Sequence, residues 1–320
     1  MRKPTICSLV IFGYLVAWTS AQAQTPAQAQ ANSQDTQKFS VTLGLTVTDS
    51  SGRVVTDLRK EDLQVFDDGN LETISYFSKE VLPITYGLLI DSSGSLKLHF
   101  GTILQAARQI IDANLDNDET FIIRFISSDK IETVQELTSD KSVLGLSLNG
   151  LKVEMGQTAL IDAVYVSAQY AIKHQAVGQT RRAALVLISD GEDRASYYRE
   201  EQLFELLRKS NLQVFVLGLV AQLDDDRGLI RRSPRQKATD LITKLSRETG
   251  GHALILNSAK DMPDAIVDLT QRLHSQYLIA YTPSKNVDKT NRKVQVKLTR
   301  SPEHEKWRVT IGVQATKKES

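Results

Sequence analysis

Apolar residues follow three rhythms in succession along the chain. In "VTLGLTV" Val41, Leu43, Leu45 and Val47 alternate with polar or small residues, the period of a half-buried strand. "TDSSGR" reads as a turn, "LQVF" as a second strand, and "DDGN" as a hairpin turn before "ISYF". Residues 39–82 are therefore predicted to be all-β. From Pro83 the rhythm changes to short apolar runs at 84–90, 120–126, 183–189, 212–219, 252–256 and 276–281, which read as strands, with "IETVQEL" as an edge strand. Helical stripes separate them. In the first, Leu96, Phe100, Ile103, Leu104, Ala107, Ile110 and Ile111 fall on one face, and similar stripes run through 158–173, 201–209, 237–249 and 261–274. Strand and helix in alternation predict a doubly wound α/β domain over 83–283, a mostly parallel sheet covered on both faces. After it, the loop "TPSKNVDKTNR" leads into "KVQVKL" and "WRVTIGV", which return to strand alternation within a C-terminal β segment and tail, 284–320. Neither β segment has enough apolar strand to stand alone, so the two are expected to pack together beside the domain.

The N-terminus departs from all three rhythms. Arg2 and Lys3 precede an apolar run from Ile6 to Trp18, followed by Ala21-Gln22-Ala23. That layout predicts a secretory signal peptide over 1–23, the run being shorter than the ~20 apolar residues a membrane span needs. The Gln/Ala-rich stretch 24–38 reads as a flexible leader. The expected mature chain is secreted or periplasmic and without a membrane span. Cys7, the one cysteine, falls inside the apolar run of the expected signal peptide, so the mature chain would have no disulfide and no thiolate metal site. With 39 basic and 38 acidic side chains among 320 residues, charge gives no reason to expect a nucleic acid as partner.

The candidate chemistry sits where apolar strands end. "GLLIDSSGSLKL" closes a strand with Asp91, Ser93 and Ser95; "EMGQTALIDAV" places Thr158 near a helix start; "ALVLISDGED" places Asp190 after another strand. Capping of helix N-termini explains each of these separately. It does not explain two acids and three hydroxyls at one sheet edge, the edge where open α/β sheets bind their ligands. An all-oxygen set suits a hard cation such as magnesium. Hydroxyls coordinate without adding charge, so a carboxylate from outside would be drawn to an open position.

These three pieces, "DSSGS", "GQT" and "SDG", resemble the von Willebrand factor type A domain with its metal-ion-dependent adhesion site. The pattern is D-x-S-x-S, a later Thr and a later Asp, and Asp91, Ser93, Ser95, Thr158 and Asp190 match it without substitution. The resemblance covers roughly 83–282. It implies a Rossmann-like sheet with one antiparallel edge strand, magnesium or manganese held partly through water, and a protein ligand that presents an acidic side chain. The flanks "VTDSSGRVVTDLRKEDLQVFDDG" and "QYLIAYTPSKNVDKTNRKVQVKL" resemble segments bracketing such domains in an exported bacterial family well populated in acidobacteria. Leu63 stands where that family usually has an aromatic.

The expected function is therefore a non-enzymatic binding module. Two alternatives compete with it. A magnesium-dependent phosphohydrolase also begins with an Asp after the first strand, but it needs a second acid two residues on, where this chain has Ser93. The other is a structural scaffold whose metal site is vestigial or purely stabilising. The histidines His99, His174, His252, His274 and His304 show no ligand spacing, and no phosphate loop, nucleophile elbow or zincin motif occurs. Glu192 and Asp193 read as a solvated turn. The charged run Leu223–Lys237 reads as surface that could overhang the same edge.

Overall fold

The computed structural model describes residues 39–50, 53–79, 83–174, 181–210, 212–224, 232–274, 277–285, 292–299 and 307–318. The expected signal peptide (1–23), the leader (24–38) and residues 225–231 of the charged run lie outside them.

The alternating strand β1 (Phe39–Thr48) buries Val41, Leu43, Leu45 and Val47 completely. β2 (Leu63–Asp67) turns through Asp68 and Gly69, at φ 48° and 84°, into the short β3 (Asn70–Glu72). Two consecutive positive φ values are what a two-residue type I′ hairpin requires, and Asp-Gly supplies them. β4 (Ile74–Ser78), which the sequence suggested as the partner across this turn, joins a different sheet. Glu72 ends the hairpin: its buried carboxylate accepts from the Ser284 N–H and hydroxyl, tying β3 to the C-terminal segment.

The continuous apolar runs form one six-stranded sheet from β5 (Ile84–Asp91), β6 (Glu119–Phe125), β7 (Ile131–Thr138), β8 (Arg182–Ser189), β9 (Gln213–Gly218) and β10 (Ala253–Ile255), in the order β10-β9-β8-β5-β6-β7. All pairs are parallel except β6–β7, so β7 is the expected antiparallel edge strand. β5 and β8 are buried at every position, as central parallel strands are. Of the helices α1 (Phe100–Asp112), α2 (Lys141–Leu148), α3 (Leu160–Lys173), α4 (Glu200–Ser210), α5 (Pro234–Thr249) and α6 (Met262–His274), three (α1, α2 and α6) pack on one face and three on the other. The sequence did not suggest α2. It is short and contains Gly145, and Asp140 starts it by accepting from the Ser142 and Val143 N–H groups.

The run at 276–281 was expected to continue this alternation. It forms β11 (Tyr277–Tyr281), which pairs antiparallel with β1 and β4 instead. The reason is visible in its residues: Tyr277, Ile279 and Tyr281 are buried and Leu278 and Ala280 only partly so, a two-residue period rather than an unbroken run. β12 (Val294–Leu298) pairs with β2, and β13 (Arg308–Lys318) pairs with the whole of β1 from Phe39–Lys318 to Thr48–Arg308. A four-stranded sheet, β13-β1-β11-β4, and a three-stranded one, β12-β2-β3, thus share one core of Val41, Leu43, Leu45, Leu63, Val65, Ile279 and their neighbours. The α/β domain is an insertion in this β module, leaving it after β4 and re-entering at β11, where Ser78 faces Leu278. No helix of the described residues is long and apolar enough to cross a membrane.

At the amino ends of the parallel strands, buried Asp118 ties three elements together. Its carboxylate accepts from the N–H of Ile84 (2.9 Å), the N–H of Leu115 (2.8 Å) and His274 Nε2 (2.8 Å). Burial alone would raise its pKa, but these hydrogen bonds outweigh it and hold the carboxyl below the usual range. A lowered carboxyl contributes stability that is present above its unfolded pKa, about 4, and is lost as pH falls through the folded value. Asp118→Asn is expected to cost about 2 kcal/mol at pH 7. Urea midpoints at pH 7 and pH 3 should converge between wild type and variant at the lower pH; an equal gap at both would contradict this.

Candidate metal centre

The chain builds β6 and β7 on one side of β5 and β8, β9 and β10 on the other, so strand order reverses at β5. Open α/β sheets leave a crevice at such a point, past the carboxyl ends of the strands. Asp91 is the last residue of β5, and Asp190 directly follows β8, its parallel neighbour. Both acids are fully buried.

Asp91 does not cap a helix. Its Oδ1 accepts from the Ser93 N–H (3.0 Å) and its Oδ2 from the Ser189 hydroxyl (2.6 Å). The 3-10 helix Gly94–His99 begins at Ser93 with no side-chain cap. Ser95 Oγ donates to Asp190 Oδ2 (2.7 Å) and lies 3.1 Å from Ser93 Oγ. Asp190 Oδ1 accepts from the Glu192 N–H (3.0 Å). Asp190, Ser95 and Ser93 are thus linked side chain to side chain, and Ser93 meets Asp91 through its backbone. Ser95 is exposed and opens the cluster to solvent. The turn after Asp190 needs glycine: Gly191 has φ 82°, and a Cβ there would stand 2.4 Å from Ile242 Cδ1.

Thr158 reaches this edge by a different route. It lies two residues before α3, nearly buried, and its carbonyl accepts from the Arg194 (2.8 Å) and Ala195 (3.2 Å) N–H groups of the Asp190 loop. A parallel bridge between Ser93 and Glu154 ties the segment leading to Thr158 to the first serines.

Several supporting residues were not anticipated. Ser189, just before Asp190, holds Asp91 and also accepts from the Gly191 N–H (3.0 Å). Asp162, buried in the first turn of α3, accepts from the Ser128 hydroxyl and from the Tyr197 and Tyr198 N–H groups, both at 2.8 Å. Asp193, expected as part of a solvated turn, accepts from the Ile161 N–H (3.0 Å) and the Ser196 hydroxyl (2.5 Å), so it anchors the start of α3. An acid at position 162, on the apolar side of "ALIDAV", was the available signal. His252 is part-buried beside Arg272, and burial first, then that charge, pushes its imidazole down to about 4, which suits packing rather than chemistry.

Burial pushes the Asp91 carboxyl up to about 7, the nearby Asp190 charge adding to the effect and the bonds from Ser189 and Ser93 opposing it. Asp190 is likewise raised, chiefly by burial. Ser92 Oγ, fully enclosed between Asp91 and Ser93, has no hydrogen-bond partner among the described residues. Two adjacent buried acids and a surplus of oxygen donors are a set that a hard cation would satisfy. Among the described residues no group of three or more His, Cys, Asp and Glu is placed to hold a metal, so any cation here would lean on the hydroxyls.

Residues 87–192, which include all five of these positions, match the family model of the von Willebrand factor type A domain. The chain contains a von Willebrand factor type A domain. The match does not reach the β module, and no curated protein matches the chain. Among solved structures, an aerotolerance-related membrane protein from Bacteroides fragilis is 19% identical over 59% of this chain and 98% of its own, with a TM-score of 0.41. A von Willebrand factor type A protein from Catenulispora acidiphila is 11% identical over 88% of this chain and 74% of its own, at 0.48. Proximal thread matrix protein 1 from the mussel byssus, described with a zinc-occupied adhesion-site motif, is 15% identical over 65% and 49%, at 0.47.

Proposed function

We propose that this type A domain is an exported, non-enzymatic binding module that engages a protein ligand through a divalent cation. Asp91, Ser93, Ser95, Thr158 and Asp190 would hold magnesium or manganese, and the cation would supply a docking point for a carboxylate of the partner. The observation that carries the reading is the cluster at the switch point, where exposed Ser95 joins the buried Asp190 carboxylate to the Ser93 hydroxyl and buried Asp91 accepts from the Ser93 N–H. In the metal-loaded protein Asp91 and Asp190 balance the cation's charge, Ser189 and the Ser93 N–H orient Asp91, and the Glu192 N–H orients Asp190.

A phosphohydrolase reading is less well supported. Ser93 stands where a general acid would be needed, and its hydroxyl faces that of Ser95. In the cleft of about 640 Å³ beside Gly191–Arg194, Arg232 and Lys244 are paired with Asp240 and Glu200, both at 2.5 Å, rather than gathered for a phosphate.

The domain is expected to act outside the cytoplasm after removal of residues 1–23; mass spectrometry of the exported protein should find an N-terminus at Gln24, and a retained Met1 would contradict this. The function is tested by calorimetry and by partner capture from periplasmic extract with and without chelator. Heat of binding with millimolar magnesium or manganese, and capture lost in chelator, are expected. A protein that binds neither metal would not be a module of this kind.

A further inference from the structure

The β module leaves two strand edges open along one cleft. β12 and β13 are the outer strands of their sheets, each paired on one side only. A cleft of about 710 Å³ is lined by residues 294–297 of β12, residues 309–311 of β13 and the carboxyl ends of α4 and α5. Over the face of a strand only every second residue would line it, so a lining by successive residues puts the cleft along both edges. The hydrogen bonds agree. The Lys293 carbonyl accepts from the Asp68 N–H (3.0 Å) and the Thr299 N–H donates to the Asp62 carbonyl (2.8 Å), so the odd-numbered residues of β12 bond toward β2. Val294 and Val296, between them, turn N–H and C=O to the open side. On β1 the Val47 carbonyl accepts from the Val55 N–H (2.8 Å), away from β13, so the opposite residue Val309, and Ile311 after it, also direct their backbone groups outward. A Cβ on Gly250, at the end of α5, would stand 3.0 Å from the Ile311 oxygen, which places that carbonyl on the cleft side. None of these outward groups has a backbone partner among the described residues. The walls carry Arg208, Arg247 and Lys297 against one acid, Glu248, which Arg208 pairs at 3.3 Å. Arg247 and Lys297 are exposed, and the Lys297 ammonium lies over the Phe66 ring at 4.8 Å.

We propose that this cleft takes an extended, acidic segment of a partner protein, which adds as a strand to the open edges of β12 and β13. The inference is independent of the cation reading. The cleft lies where α4 and α5 end, at the amino ends of β9 and β10, on the opposite edge of the parallel sheet from Asp91 and Asp190. An added strand draws its affinity from main-chain hydrogen bonds, and here each edge offers donors and acceptors at alternate residues. Charge then selects among strands. A lysine on an open edge repels a basic strand and, by the same charge, accepts an acidic one. With Glu248 already paired, Arg247 and Lys297 are left to meet carboxylates of the segment.

The test uses labelled synthetic peptides of equal length that alternate Val with Glu or Val with Lys. Fluorescence anisotropy should show the Glu peptide binding the full chain at least about tenfold tighter than the Lys peptide, equally with and without chelator. Methylating every second backbone nitrogen of the Glu peptide, on the valines or on the glutamates, removes one set of N–H donors; at least one of the two forms should lose binding about tenfold or more. In the complex, amide-resolved hydrogen exchange should slow at Val294, Val296 and Val309. Arg247→Glu/Lys297→Glu should reverse the preference toward the Lys peptide with an unchanged melting temperature. Binding of neither peptide, equal binding of the two, or an undiminished preference in the double variant would overturn the proposal. So would binding that survives both methylations, unchanged exchange at the three amides, or binding lost in chelator, which would move the peptide to the candidate metal centre. Self-association that protects the same amides without peptide would assign the edges to a second copy and overturn it as well.

Discussion

Asp91→Asn should weaken magnesium binding by more than about 100-fold and yet raise the melting temperature of the metal-free protein by on the order of 3 °C. The two signs have one cause. Asp91 and Asp190 are buried side by side, and burial together with the Asp190 charge makes ionised Asp91 costly without a cation. Asn preserves the shape: its oxygen can accept from the Ser93 N–H, and its amide can donate to the Ser189 hydroxyl in place of the bond that Ser189 now makes. Only the charge is lost. In wild type, magnesium at about 100 times its Kd should add about 2.7 kcal/mol of stability, and the variant should show none of it at that concentration. Thermal melts with and without magnesium, backed by calorimetry, read both effects. If Asp91 only shaped a helix start, the metal would not stabilise wild type and the variant would lose stability.

The second large effect is expected far from the cation. Asp67 and Arg292 form an ion pair at 2.6 Å in the β module, with side chains 3% and 1% exposed, and the Tyr281 hydroxyl donates to the same Asp67 oxygen at 3.0 Å. Burial first, and then the Asp67 carboxylate, raise the Tyr281 phenol, so the hydroxyl stays protonated and keeps donating. Arg292→Ala would leave Asp67 buried without its cation, which typically costs about 3–5 kcal/mol. Denaturant unfolding should show that loss, and Asp67→Leu/Arg292→Met/Tyr281→Phe should recover part of it, because the paired apolar replacement removes the Asp67 charge together with its cation and the hydroxyl that donated to it. Since the partners lie 225 residues apart in sequence, a small effect in the single variant would mean that the two β segments are not energetically one body.

Much of this was legible from the chain. The unbroken runs at 84–90 and 183–189 became central strands, and the ends of those strands carry Asp91 and Asp190. What could not be read was partnership between strands of similar pattern. "ISYF" was expected opposite "LQVF", and the run at 276–281 in the parallel sheet. Strand pairing is decided by distant segments, and only the two-residue period of Tyr277, Ile279 and Tyr281 hinted that β11 belonged with β1. At the site, the motif residues were plain, whereas Ser189 and Asp162 were hidden because a serine or an acid beside an apolar run is ordinarily a cap or a surface group. Their work depends on which loop folds over them.

The pairing of β1 with β13 also bears on how the molecule would carry tension. Phe39 faces Lys318 at one end of the ladder, and the strands run antiparallel from there to Thr48 and Arg308. A pull applied between Phe39 and Lys318 therefore acts across the ladder and opens it like a zipper, one pair at a time, instead of shearing all pairs together. The inserted domain lies outside that load path, joined through β4 and β11 deeper in the sheet. A tether attached at these two residues would yield progressively at the module, while the candidate metal centre kept its shape until the zipper had run its length.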